Sequence, residues 1–133
     1  VMPQETDSKL LSDTIRYSDL VVNVGSSMVF DAVCHNTPCA YINYNTVNGD
    51  ISKWNIEKIY EYIHFKSMPS KDAVLWINRK EDYIKIIEKV LVCEINLDVT
   101  KEWFSKINEY PEDSSDILCK TMNAILFDNQ IDV

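Results

Sequence analysis

The sequence predicts an α/β fold in which a parallel sheet is flanked by helices. Three short apolar runs predict buried strands at residues 20–24, 39–43 and 73–77. Segments with apolar residues at helical spacing lie between and after these runs, and strands that alternate with helices form parallel sheets. The first run ends in Gly25-Ser26-Ser27 and leads into a helical segment, so it begins a βαβ unit.

The elements follow in the order α-β-α-β-α-β-α-α-α. Asp7 or Ser8 is expected to cap a first helix that ends near Tyr17. The three valines of the run 20–24 predict a strand that is covered on both faces. A helix over 26–35 is stopped by Pro38 and its neighbours, because proline cannot continue the helical hydrogen bonds. A loop over 45–53, a helix over 56–63 and, after a cap at Asn78, a helix over 79–93 are predicted next, and the chain closes with helices over 100–107 and 114–127.

The predicted sheet is small. The 133 residues suit a single domain, whereas a complete doubly wound sheet has about five or six strands. We therefore expect residues 1–133 to form one Rossmann-like α/β domain, or part of one, whose sheet is either truncated on its N-terminal side or completed by another chain. Such a sheet would expose an unpaired edge, and a symmetric homodimer would cover it.

Composition narrows the classes of function. A formal net charge of -8 and a pI of about 4.6 argue against nucleic-acid binding, which needs a basic face. The four cysteines form no Cys-x-x-Cys pair, and with only two histidines no metal site is expected. The thiols are interpreted as reduced core residues of a cytoplasmic protein. No apolar run approaches the roughly 20 residues of a membrane span.

The Gly25-Ser26-Ser27 turn is the candidate ligand site. Backbone N–H groups at a helix N-terminus are unpaired and carry partial positive charge, so a phosphate is favoured there. Glycine allows close approach to the backbone, and two hydroxyls can donate to phosphate oxygens. A plain N-cap, with Ser26 satisfying its own helix, is the competing interpretation.

The run "YSDLVVNVGSSMVFDAVCHNTPCAYINY" resembles the C-terminal, nucleotide-sugar-binding domain of glycosyltransferases with the GT-B architecture. The shared features are Ser18-Asp19, the strand, the Gly-Ser-Ser turn, Asp31-Ala32, Asn36 and Pro38. The later segments "YEYIHFKSMPSKDAVLWINRKEDYIKIIEKVL" and "DVTKEWFSKINEYPEDSSDILCKTMNAILF" resemble the helices and strand that follow in those domains. Asp31 replaces the usual Glu, and Asn36 replaces the more usual Gly. UDP-sugar 2-epimerases and CDP-glycerol-type polymerases share this domain.

The resemblance implies a donor-binding domain. A nucleotide-diphosphate sugar would be the donor substrate, with its diphosphate at the Gly25-Ser26-Ser27 turn and no further cofactor required. The acceptor site and the catalytic base would belong to an N-terminal domain outside this chain, and the parent enzyme would associate with a membrane surface peripherally. Asp31 would accept hydrogen bonds from the ribose hydroxyls, unless it is only a solvated acid on a helix face.

Further residues complete the candidate site. Asn43, Tyr44 and Asn45 end the second strand, at the edge where ligands of α/β proteins bind, and can meet the base or the sugar or simply belong to a polar loop. His64 can donate or titrate near a cleft, although a lone histidine is more often structural. The alternatives to a glycosyltransferase are a UDP-sugar 2-epimerase or glycerophosphotransferase domain, and a non-catalytic α/β interaction module.

Overall fold

The computed structural model describes residues 4–45, 55–110 and 112–128. These residues form an α/β fold built on a small parallel sheet. The strands are β1 (Val21–Asn23), β2 (Cys39–Ile42) and β3 (Leu75–Ile77). The α-helices are α1 (Glu5–Arg16), α2 (Met28–Cys34), α3 (Ile56–Ile59), α4 (Ile63–Lys66), α5 (Asp82–Leu91), α6 (Asp98–Ile107) and α7 (Ser114–Asp128), and a 3₁₀ helix spans Lys71–Ala73. The predicted loop over 45–53 lies, apart from Asn45, outside the described residues.

The three described strands run in parallel in the order β1-β2-β3. Val21 lies opposite Cys39, and Tyr41 lies between Asn23 and Trp76. Each strand therefore follows its neighbour through a helical connection, as the alternation of apolar runs and helical segments predicts. The carboxyl ends of all three strands lie at one edge of the sheet.

One face of the sheet carries an aromatic core. The side chains of Tyr41 and Trp103 are fully buried there. Phe30 of α2 meets the Trp103 ring edge-on, with 4.8 Å between ring centroids. Thr100 of α6 donates to the Ala73 carbonyl at 2.6 Å, which ties this helix to the segment before β3. The core therefore joins α2 and α6 to the sheet.

The other face is covered only in part. Ile86 of α5 packs with Ala40 and Ile77, but Val22 of β1 remains 41% exposed and Val24 36% exposed. The prediction that both faces of the first strand are covered is therefore wrong. Of the residues predicted at the centre of the sheet, Val21, Cys39, Tyr41 and Val74 are buried, Trp76 is half-buried and Val22 is exposed.

Helix boundaries differ from the prediction where tertiary contacts or caps decide them. The first helix begins at Glu5, because Gln4 and Asp7 form a capping box. Asn78 does not cap the helix after β3; instead its backbone N–H donates to Asp82 Oδ2 at 3.1 Å. The helix predicted over 56–63 is divided into α3 and α4, since Tyr62 between them is extended.

The exposure of the cysteines also differs from the prediction. Cys39 is buried, but Cys34, Cys93 and Cys119 are exposed, so three of the four thiols are not core residues. The closing helix α7 forms where predicted, yet each of its side chains over 114–127 is exposed. None of the described helices is long and apolar enough to cross a membrane.

Candidate functional site

The carboxyl edge of the sheet carries a turn after β1 and polar residues after β2 and β3. Residues 24–27 form the turn, Asn43 follows β2, and Asn78 follows β3. The Asn43 side-chain amide donates to Asn78 Oδ1 at 2.8 Å, which joins the ends of the two strands. Ligands of open α/β sheets bind outside this edge.

Gly25 is required at its position in the turn. Its φ is +54°, a left-handed conformation that favours glycine. A Cβ atom there would lie 2.5 Å from Ile59 Cγ2 and 3.1 Å from Tyr60 Cε1. The turn and the segment around α3 therefore approach each other as closely as a residue without a side chain permits.

Ser26 holds the shape of the turn. Its backbone N–H donates to Asn23 Oδ1 at 3.0 Å, and its hydroxyl oxygen accepts from the Met28 amide at 3.2 Å. The Tyr41 hydroxyl donates to the Ser26 carbonyl at 2.9 Å. Ser26 therefore supports the start of its own helix, as the interpretation of a plain N-cap expects. Its own hydroxyl proton remains a donor.

Ser27 presents the more accessible hydroxyl. It occupies the N-cap position of α2, its side chain is exposed, and it makes no capping hydrogen bond. The helix begins at Met28, not at the predicted Ser26. Of the two serines, Ser27 is the one whose hydroxyl lacks a partner within the described residues.

Asp31 lies on the side of α2 that faces α1. It is exposed and lines a groove with Ser12 and His35. In this groove, Ser12 Oγ lies 3.0 Å from His35 Nε2. Asp31 also acts on its neighbour, because burial and the Asp31 charge together raise the pKa of the Cys34 thiol. The role of Asp31 as a ribose acceptor remains a prediction.

Asn45, which precedes residues 46–54, forms hydrogen bonds to the two residues that follow them. Its amide nitrogen donates to Asn55 Oδ1 at 3.3 Å, and its Oδ1 accepts from the Ile56 amide at 3.0 Å. Asn45 therefore satisfies the first backbone N–H of α3, and its role as a contact to the base or the sugar remains a prediction. This contact gives it a structural task that the sequence did not indicate.

His64 lies on α4 beside the turn. Its exposed ring is 4.1 Å from the Phe65 ring, measured between centroids, and is stacked against Tyr62. Phe65 is buried, and its Cζ lies 3.5 Å from the position of a Cβ on Gly25. The structure thus places His64 next to a residue that contacts the turn.

A pocket opens at the same edge. Its volume is about 390 Å³, within the range of roughly 300–1,000 Å³ that is usual for small-molecule sites. It is lined by two amides, two aromatic rings and a lysine: Asn43, Tyr60, Lys71, Trp76 and Asn78. A cavity at the opposite, amino edge of the sheet, beside Cys39 and Thr100, is smaller, at about 110 Å³.

Tyr60 lines the pocket and also packs against the turn. Its Cε1 is the atom that approaches Gly25, and its ring lies 5.0 Å from the Trp76 ring at 74°. Its hydroxyl donates to the Ile42 carbonyl at 2.7 Å. Burial raises the pKa of Tyr60, so its hydroxyl stays protonated and this hydrogen bond is kept.

Comparisons with protein-family models, curated proteins and solved structures gave no match. Among the described residues, no three His, Cys, Asp or Glu side chains come close enough to hold a metal ion. Of the pocket residues, the sequence predicts only Asn43 as a ligand contact. It does not indicate Asn23 as a support of the turn, nor Tyr60, Lys71, Trp76 and Asn78 as pocket residues. The one signal for Asn78 is its position directly after a strand, as for Asn43.

Proposed function

We propose that this chain is the nucleotide-sugar-binding domain of a glycosyltransferase and that it binds the donor at the carboxyl edge of the sheet. One observation carries the proposal: the Gly25–Ser27 turn and the pocket of amide and aromatic side chains lie side by side and share Tyr60. A ligand with an anionic part and an adjoining polar ring system matches this pair of sites.

The diphosphate would lie against the turn. Ile59 and Tyr60 fill the position that a Cβ on Gly25 would take, so a phosphate would meet the turn at the Ser27 hydroxyl, which is exposed to donate to it. The net charge of -8 does not oppose this, because the N-terminal end of α2 carries partial positive charge. During transfer, the Ser27 hydroxyl would stabilise the charge that develops on the departing diphosphate.

The finer identity of the domain rests on the resemblance of the sequence. We infer a Rossmann-like domain from the C-terminal half of a GT-B enzyme, with the acceptor site and the catalytic base on a domain outside this chain. The four thiols are free, which agrees with the reducing cytoplasm predicted for the protein. An epimerase or a glycerophosphotransferase would use the same turn for the same diphosphate. A bound donor that carries glycerol would indicate the glycerophosphotransferase, whereas an epimerase and a glycosyltransferase would be distinguished by their products.

Calorimetric titration of this chain with UDP, CDP and GDP tests the proposal. We expect one of the three to bind at a single site and Ser27→Ala to weaken it about tenfold or more, since hydrogen bonds to charged groups contribute roughly 1.5–3 kcal/mol. Ser105→Ala is the matched control, because Ser105 is exposed on α6, outside the turn and the pocket, and its hydroxyl donates to the Glu102 carbonyl. Failure of all three nucleotides to bind, or equal affinities for the wild type and Ser27→Ala, would contradict the proposal.

A further inference from the structure

The pocket at the carboxyl edge has walls of two chemical kinds. The Tyr60 and Trp76 rings supply apolar surface, and the polar atoms of both rings are already engaged. The Tyr60 hydroxyl donates to Ile42, and Trp76 Nε1 donates to the Lys71 carbonyl at 2.7 Å. The polar groups of a ligand would therefore meet the amides and the lysine, not the rings.

The two amides offer a matched pair of hydrogen-bonding atoms. Because Asn43 Nδ2 donates to Asn78 Oδ1, the remaining atoms are Asn43 Oδ1, an acceptor, and Asn78 Nδ2, a donor. A hydroxyl group both donates and accepts, so neighbouring hydroxyls of one ring satisfy both atoms at once. The Lys71 ammonium adds donors and is not part of an ion pair within the described residues.

The arrangement of the rings decides between a sugar and a flat base. Tyr60 and Trp76 meet at 74°, with 5.0 Å between centroids. Two parallel rings would form a slot for a nucleobase, whereas rings at this angle form a corner. A sugar ring in a chair conformation presents C–H groups on more than one side and gains dispersion contacts with both walls of such a corner.

We propose that this pocket holds the glycosyl group of the donor and that Asn43 and Asn78 select its hydroxyls. The inference rests on the proposed function, because the diphosphate bound at the turn would place the attached sugar beside Tyr60. In a nucleotide sugar, the phosphate is bonded directly to the sugar ring, so the two sites must be adjacent. The contact of Tyr60 with both provides that adjacency.

Asn78→Ala is the decisive variant. It removes the free donor without adding an acceptor, and because Asn78 is exposed, water replaces the hydrogen bond that Asn43 loses. Binding of UDP-glucose, UDP-N-acetylglucosamine and GDP-mannose is compared with that of UDP and GDP. We expect the added affinity of the preferred nucleotide sugar over its own diphosphate to fall about tenfold in Asn78→Ala. Asn96→Ala is the control, because Asn96 is exposed and its Oδ1 likewise accepts a hydrogen bond, from the Asp98 amide.

The indole N–H signal of Trp76, assigned by its loss in Trp76→Phe, reports the occupant directly. A shift with the nucleotide sugar that the diphosphate alone does not produce supports the inference. An equal shift with the diphosphate alone would assign the pocket to the base and overturn it, while the proposed function would stand. If no nucleotide binds, the proposed function fails, and titration with glucose 1-phosphate at millimolar concentration then decides the pocket: no shift of the Trp76 signal overturns the inference.

Discussion

Replacement of Gly25 by alanine is expected to destabilise the protein through two separable effects. The left-handed conformation at φ +54° costs a residue with a side chain roughly 1–2 kcal/mol. The new Cβ would also lie 2.5 Å from Ile59 Cγ2, whereas carbon atoms pack at about 3.5–4.0 Å. Ile59 or the turn must move by about an ångström, and such overpacking costs about 1–3 kcal/mol. The free energy of unfolding should therefore fall by about 2–5 kcal/mol, a large share of the roughly 5–15 kcal/mol of an ordinary domain.

Urea denaturation of a double-mutant cycle separates these effects. Ile59→Ala removes the obstructing Cγ2 and by itself costs about 2 kcal/mol, at the low end for such truncations because Ile59 is only half-buried. In Gly25→Ala combined with Ile59→Ala, the clash is absent and only the left-handed strain remains. We expect a coupling energy of about 1–3 kcal/mol between the two sites. Strict additivity, or a Gly25→Ala variant with an unchanged urea midpoint, would refute the proposed packing of the turn.

Three further outcomes are expected. First, burial raises the pKa of the Cys39 thiol from 9.0 to about 12, although a hydrogen bond from Asn23 lowers it. The folded state therefore keeps a proton that the unfolded chain loses, so the free energy of unfolding should fall between pH 9 and about 12. In urea denaturation at several pH values, Cys39→Ala should make this decline less steep. Second, Lys71 in the pocket should favour UDP-glucuronate over UDP-glucose, and calorimetry of Lys71→Gln should show that preference lost; an undiminished preference would place the carboxylate elsewhere. Third, β1 has no partner on its outer side within the described residues, and Ile87 is 46% exposed beside it in a groove with Leu20; we expect a dimer in sedimentation equilibrium that Ile87→Lys weakens, and a wild-type monomer at high micromolar concentration would contradict this.

Much of the fold could be predicted from local patterns. The short apolar runs around Val21, Tyr41 and Ile77 predict buried strands, and the helical segments between them imply that the strands are parallel. The coverage of β1 could not be predicted, because it depends on where α5 lies and not on the run of valines. The break between α3 and α4 was missed for a similar reason: Tyr60 reaches Ile42 and the Trp76 ring, and these contacts are distant in sequence.

The candidate site could also be predicted only in part. The turn at Gly25 could be found because its residues are contiguous and chemically distinctive. Of the pocket, only Asn43 could be predicted, since the other four residues each have a simpler local interpretation. Trp76 resembles a core residue and Asn78 a helix cap, and only the parallel register brings Asn43 and Asn78 within hydrogen-bonding distance.

The two hydrogen bonds of Asn45 affect which changes in sequence this protein can tolerate. Because one side chain bonds to both Asn55 and Ile56, the two ends of the intervening chain are fixed independently of its length. Closing a loop of twice the length costs only about 0.6 kcal/mol more. Insertions or exchanged sequences between residues 46 and 54 should therefore be tolerated without displacing α3. The turn and the pocket can thus stay constant while the sequence and length of residues 46–54 change at little thermodynamic cost.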